Sequence, residues 1–116
     1  MTVLERIQDY ATEGRKQESI KRPHLYHLES FGSYLFEQTK ELGKGVTDSD
    51  LASRITSMDM DLYIFNADIT GELKHDYDND LKRYPAKWLN EKRKLDSLKN
   101  KFIQLYKDIE ESKKGA

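Results

Sequence analysis

The stretch Met58-Asp59-Met60-Asp61-Leu62-Tyr63-Ile64-Phe65-Asn66-Ala67-Asp68-Ile69 decides the fold, because it fits two periods at once. As a strand it would put Met58, Met60, Leu62 and Ile64 on one face. As a helix it belongs to a longer seam, Leu51, Ile55, Met58, Leu62, Phe65 and Ile69, spaced alternately by four and three. That period continues through Leu73, Tyr77 and Leu81, so the segment reads as a long helix. A second stripe, Met60, Ile64, Ala67 and Gly71, lies on its other side. A helix apolar on two sides is expected in the middle of a bundle or between two copies of the protein.

On the amino-terminal side of this helix, Thr47 with Asp50 has the form of a capping box, and Asp48 also suits a helix start. Gly71 is a place for a kink, at a cost of about 1 kcal/mol against alanine. Tyr84-Pro85 ends the helix and opens another, whose seam is Trp88, Leu95, Leu98, Phe102, Leu105 and Ile109. The two carry opposite charge. From Thr47 to Leu81 there are nine acids against two bases, a net of −7; from Lys82 to Lys107, nine bases against two acids, a net of +7. Folding them antiparallel about Pro85 sets Leu81 near Trp88 and Ile69 near Phe102. The same register sets Asp78 near Lys92, Asp76 near Lys94 and Glu72 near Lys99. Lys113 and Lys114 suit the carboxyl end, and Gly115-Ala116 are expected to fray.

Further toward the amino terminus, Thr2 with Glu5 is a capping box for a first helix with Val3, Leu4, Ile7, Tyr10 and Ala11 on one stripe. It must stop before Pro23, which suits the first turn of a second helix. The seam of that helix is Leu25, Leu28, Gly32, Leu35, Thr39 and Leu42, with His24, His27, Phe31 and Tyr34 widening its apolar arc. Gly43-Lys44-Gly45 breaks the chain, with glycine available for a left-handed position. The expected fold is all-α: a single domain, 1–116, of about four antiparallel helices (about 2–21, 24–43, 48–83 and 86–113) built on a long C-terminal helical hairpin.

Composition narrows the function classes. The chain is 36% hydrophobic and 35% charged with a net charge of −1, so no global field points to nucleic acid or membrane. Without cysteine it has no disulfide, thiolate metal site or cysteine nucleophile. No apolar run is long enough to span a membrane, and a cytoplasmic location is the default expectation.

Two kinds of chemistry compete. Phe31-Gly32-Ser33-Tyr34 together with Asp59-x-Asp61 resembles the signature of the polymerase-beta-type nucleotidyltransferases, which pair a Gly-Ser turn with an Asp-x-Asp strand. The resemblance implies that Gly32 and Ser33 hold nucleotide phosphates while Asp59 and Asp61 ligate magnesium. Here the gap between the two motifs is longer than in that family, and no later strand supplies a third aspartate. His75-Asp76 with His24 or His27 and Asp96 resembles the HD phosphohydrolase metal site. Glu72-x-x-His75 has the spacing of half a di-iron site, and Asp76-x-Asp78-x-Asp80 opens like a calcium loop but lacks its glycine and glutamate. Lys87, Lys92, Arg93, Lys94, Lys99, Lys101 and Lys107 could track phosphates as a weak nucleic-acid binder.

The reading that accounts for most of the chain is a non-enzymatic protein-interaction module of adaptor, inhibitor, immunity or assembly-factor type, without cofactor, metal or catalytic residue. Its partner-binding residues would be Phe31, Tyr34, Met60 and Ile64, and its partner another protein or a second copy in a homodimer.

Overall fold

The computed structural model describes residues 1–114, and Gly115-Ala116 lie outside the described residues. The fold is an all-α bundle: α1 (Val3–Glu18), α2 (Leu25–Gly43), α3 (Ser49–Asp68), a π-helical turn (Ile69–Leu73), α4 (Lys74–Asn79) and α5 (Tyr84–Lys114). The π turn joins α3 and α4 into one rod, so four rods run alternately up and down. Among the described residues there is no strand, and no helix is long and apolar enough to cross a membrane.

Local chemistry sets the helix ends. Thr2 and Glu5 form the reciprocal capping box, with Thr2 Oγ1 accepting from the Glu5 amide at 3.1 Å. At α3 the cap is Asp48, not Thr47: its carboxylate accepts the Leu51 amide at 2.9 Å. Pro23 does not open α2. It lies buried before His24, and helix begins at Leu25. Gly45 takes the left-handed conformation after α2, with φ of +79°.

The third rod, expected over about 48–83, differs in two places. Ile69, Leu73 and Tyr77 are spaced by four, a pattern that drifts around an α-helix. The wider π turn absorbs the drift, so Ile69, Leu73 and Asp76 all stay buried. The rod then stops at Asn79. Asp80 leaves the helical conformation, its carboxylate accepts the Arg83 amide and its carbonyl accepts the Tyr84 amide, starting α5 four residues later.

Because the tip sits at Asp80–Arg83, the hairpin register is one heptad from the expected one. Asp76 pairs with Lys87 at 2.6 Å instead of Lys94, and at the far end Arg54 pairs with Asp108 at 2.8 Å. Asp78 meets Lys74 on its own helix, and Lys94 meets Glu91. Leu81, expected against Trp88, is 56% exposed at the tip. A slip of seven residues keeps both apolar seams in phase, so something outside the hairpin chooses between the registers. That something is the α1–α2 link. The buried Tyr84 hydroxyl donates to the Pro23 carbonyl at 2.7 Å, and the Trp88 indole N–H donates to the His24 carbonyl at 3.2 Å. Arg22 closes the same contact, donating to the Tyr77 carbonyl while its guanidinium stacks 4.0 Å over the Tyr77 ring.

Two glycines make the remaining packing possible. At Gly32, α2 approaches α3 so closely that a Cβ would overlap the Asn66 amide and lie 3.0 Å from the Phe65 ring. Asn66 uses the approach to donate to the Gly32 carbonyl at 3.3 Å. At Gly14, a Cβ would come within 2.9 Å of His27 Nε2 and 3.1 Å of the Lys92 stem. Gly32→Ala is expected to destabilise the protein by about 1–3 kcal/mol in chemical denaturation, and Tyr84→Phe by a similar ~1–3 kcal/mol for the orphaned Pro23 carbonyl. Gly71→Ala, where a Cβ meets nothing within 4 Å, is expected to be neutral or stabilising by up to ~1 kcal/mol.

Candidate interaction surface

α2 and α5 touch directly, and α1 and α3 flank that pair on opposite sides. The cross-section is accordingly longer one way than the other, 24 Å by 17 Å. α3 turns its seam inward, with Met58, Leu62, Phe65 and Ile69 buried. Among the described residues its opposite face has no neighbour. Ala52, Ser53, Thr56, Ser57, Met60, Tyr63, Ile64, Ala67, Thr70 and Gly71 are all exposed there, and none carries a charge. At 3.6 residues per turn they span an arc of about 140°, over a length of about 30 Å. Met60, Tyr63 and Ile64 are 58%, 66% and 52% exposed, three of the seven large hydrophobic side chains that are exposed among the described residues. Asp59 and Asp61 flank the arc on either side.

Of the four expected partner-binding residues, the structure keeps two on the surface. Phe31 is 1% exposed, its ring stacked on Tyr10 of α1 at 4.8 Å and 6°. Tyr34 is half-buried, 5.4 Å from the same Tyr10 ring and capped by the Arg6 guanidinium. Its hydroxyl pKa is raised, first by burial. The wide arc of α2 is thus covered from within the chain, by α1. Met60 and Ile64 stay open, and Tyr63 joins them; it was legible as the third member of an i, i+3, i+4 set.

The strand chemistry has no scaffold. Residues 58–65 are helical, so Asp59 and Asp61 point about 200° apart and do not converge on one ion. Gly32 is buried against α3 and Ser33 is exposed on α2, so they form no turn. The other acidic motifs are dispersed too. His75 is exposed beside Asn79, and Asp76 turns inward to Lys87. Asp96 sits with Lys92, which also reaches Glu18 at 3.0 Å. Among the described residues no group of three or more metal-ligating side chains forms. Three of the seven bases named on α5, namely Lys87, Lys92 and Lys94, are held in ion pairs.

Two polar sites within the bundle are explained by packing. Lys92 occupies the one gap in the α5 seam. Burial lowers its pKa, but hydrogen bonds to Asp96 and Glu18 outweigh this, and its ammonium ends above the usual lysine value. Gln17, which its place on the Ile7–Gly14 line of α1 makes buried, accepts the His24 amide at 2.8 Å and donates to Glu13. Beside it a cavity of about 390 Å³ between α1 and α2 is lined by Tyr10, Glu13, His24 and His27. Burial holds the His27 imidazole below its ordinary pKa.

Comparison with protein-family models, curated proteins and solved structures finds no significant match for this chain.

The Lys87 ammonium, paired with Asp76 at 2.6 Å, holds the Asp76 carboxyl below its ordinary pKa, and Arg54 and Gln104 do the same for Asp108. A depressed folded pKa means stability that is present above the unfolded carboxylate value, about 3.9, and lost as pH falls through the folded one. Thermal midpoints are therefore expected to drop below about pH 4, and more shallowly in the Asp76→Asn, Asp108→Asn double variant.

Proposed function

We propose that the protein is a non-enzymatic helical interaction module that works through the outer face of α3. A single observation carries this reading: in a chain of which 35% is charged, one helix presents an uncharged arc with Met60, Tyr63 and Ile64 at its centre. The outer faces of α1, α2 and α5 all bear exposed charge. A contiguous apolar patch that the fold leaves open is a usual mark of a docking site. Burying each of the three side chains against a partner would contribute about 1.5–3 kcal/mol, set against the cost of association. Asp59, Asp61 and Asp68 along the edges would favour a partner with bases beside its apolar surface, and would act mainly on association rate and specificity. The mechanism is burial, with no reaction. Self-association is the form of this function that needs no other component.

The test is the Met60→Glu, Ile64→Glu double variant. Both positions are exposed, so the variant is expected to melt within about ±0.5 kcal/mol per substitution of the parent. Binding is expected to be lost, read both as self-association by light scattering and as species captured from native lysate by the parent and not by the variant. If the parent is monomeric at every concentration and captures nothing that the variant fails to capture, the module reading is wrong.

A further inference from the structure

We infer that the occupant of the α3 face is a second copy of this chain, docked about a two-fold axis parallel to the helices, so that α3 of each protomer lies along α5 of the other. This deepens the interaction-module reading and rests on it.

Size comes first. The uncharged arc, about 30 Å long and one helix wide, covers only roughly 350 Å² per copy, well short of the ~800 Å² per partner of a standard interface. The contact must therefore take in a neighbouring helix, and the charges beside the arc select it. Along the groove between α3 and α5, Asp61 and Lys101 border one cavity of about 430 Å³, and Asp68 and Lys94 border the next, of about 340 Å³. These two acids of α3 are thus each level with a base of α5. At one end of that groove Arg54 of α3 pairs with Asp108 of α5, but Asp61 and Asp68 close no ion pair across it: Lys94 instead binds Glu91 at 3.0 Å, 60% exposed, while feeling the charge of Asp68 and Glu72.

An isologous dimer uses the same patch twice and has two ways to bring these faces together. With the axis across the helices, α3 lies over α3 and α5 over α5, both antiparallel, which sets the basic side of α5 against the basic side of its copy. With the axis along the helices, levels are kept and sides exchanged. The second copy's Lys101 then arrives beside Asp61, and its Lys94 beside Asp68. The opposite charges of the hairpin halves, −7 and +7, make the second arrangement self-complementary and the first self-repelling. Ser53, Met60 and Ile64, on the side of the arc next to that groove, would lie against α5 of the second copy. An interface of this size with exposed charge pairs gives a weak dimer that loosens as salt rises.

The absence of cysteine allows a direct test. Ser57→Cys on α3 and Gln104→Cys on α5 border the same cavity, with Thr12→Cys on α1 as background. Under mild oxidation the lengthwise axis gives disulfide-linked dimers in the mixture of the Ser57→Cys and Gln104→Cys proteins and from neither alone. Cross-linking of either variant with itself, and none in the mixture, means an axis across the helices and overturns the arrangement. No cross-link above background, with a monomer by light scattering up to millimolar protein, overturns the second copy as occupant. The module reading is then judged separately, by differential capture with the Met60→Glu, Ile64→Glu variant. Charge exchange gives an independent check: Asp61→Lys with Asp68→Lys, or Lys94→Asp with Lys101→Asp, weakens self-association about tenfold, and mixing the two proteins restores it. Each variant's melting is compared with the parent to show that it folds. Unchanged association in the single-protein samples contradicts the pairing.

Discussion

Two hydrogen bonds at the start of α5 determine how the rest of the molecule is arranged. Tyr84 and Trp88 are buried aromatic side chains whose polar ends must find partners, and they find the carbonyls of Pro23 and His24. That contact ties the link between the first two helices to the tip of the hairpin formed by the last two. Pro23 lies buried just ahead of α2 and its carbonyl accepts from Tyr84, while the His24 carbonyl accepts both the Trp88 indole and the His27 amide, the latter at 3.3 Å. Once Tyr84 and Trp88 are placed, the heptad register of α5 against α3 follows, with Asp76 on Lys87 at one end and Arg54 on Asp108 at the other. Asp76 is buried but its Lys87 is partly exposed, and the Arg54 pair is exposed, so the ion pairs follow the register and add little to stability.

The open surface is a consequence of that register. α3 packs between α2 and α5 with one seam, crossing α2 tightly at Gly32, and its outer side is left to solvent. The π turn keeps the seam buried past Ile69 despite the drift in its spacing, and it confines Gly71 to the exposed side, where no neighbour approaches. A helix in this position would ordinarily expose charge. Instead its charges are displaced to the edges of the arc, where Asp61 and Asp68 face the basic side of α5 across a groove. Fold and proposed function are therefore joined through one helix that is apolar on two sides, of which the bundle covers only one.

The sequence carried the helices well and their neighbours less well. The capping box at Thr2, the glycine turn at Gly45 and the 3–4 seams each rest on contacts within a few residues, and all appear in the structure. The register of the hairpin does not, because a heptad slip leaves every apolar position in phase; only the buried partners of Tyr84 and Trp88, more than sixty residues away, distinguish the alternatives. The same limit applied to the site. Phe31 with Tyr34 and Met60 with Ile64 looked alike as surplus apolar residues, and nothing local says that Tyr10 of α1 stacks on the first pair while no helix reaches the second. The alternation of Met58 through Ile64 was a true ambiguity of period, which helical packing of Leu51 through Leu73 resolved.

The claim on which all of this depends is that α3 is rotated with Met58 inside and Met60 outside. The chain has three methionines, so methyl resonances of carbon-13-labelled Met58 and Met60 can be followed individually while a soluble paramagnetic probe is added to dilute protein. The account predicts strong broadening of Met60 and none of Met58, with Met60 regaining protection as the protein is concentrated. Equal broadening of both methyls, or protection of Met60 at the lowest concentration, would contradict it.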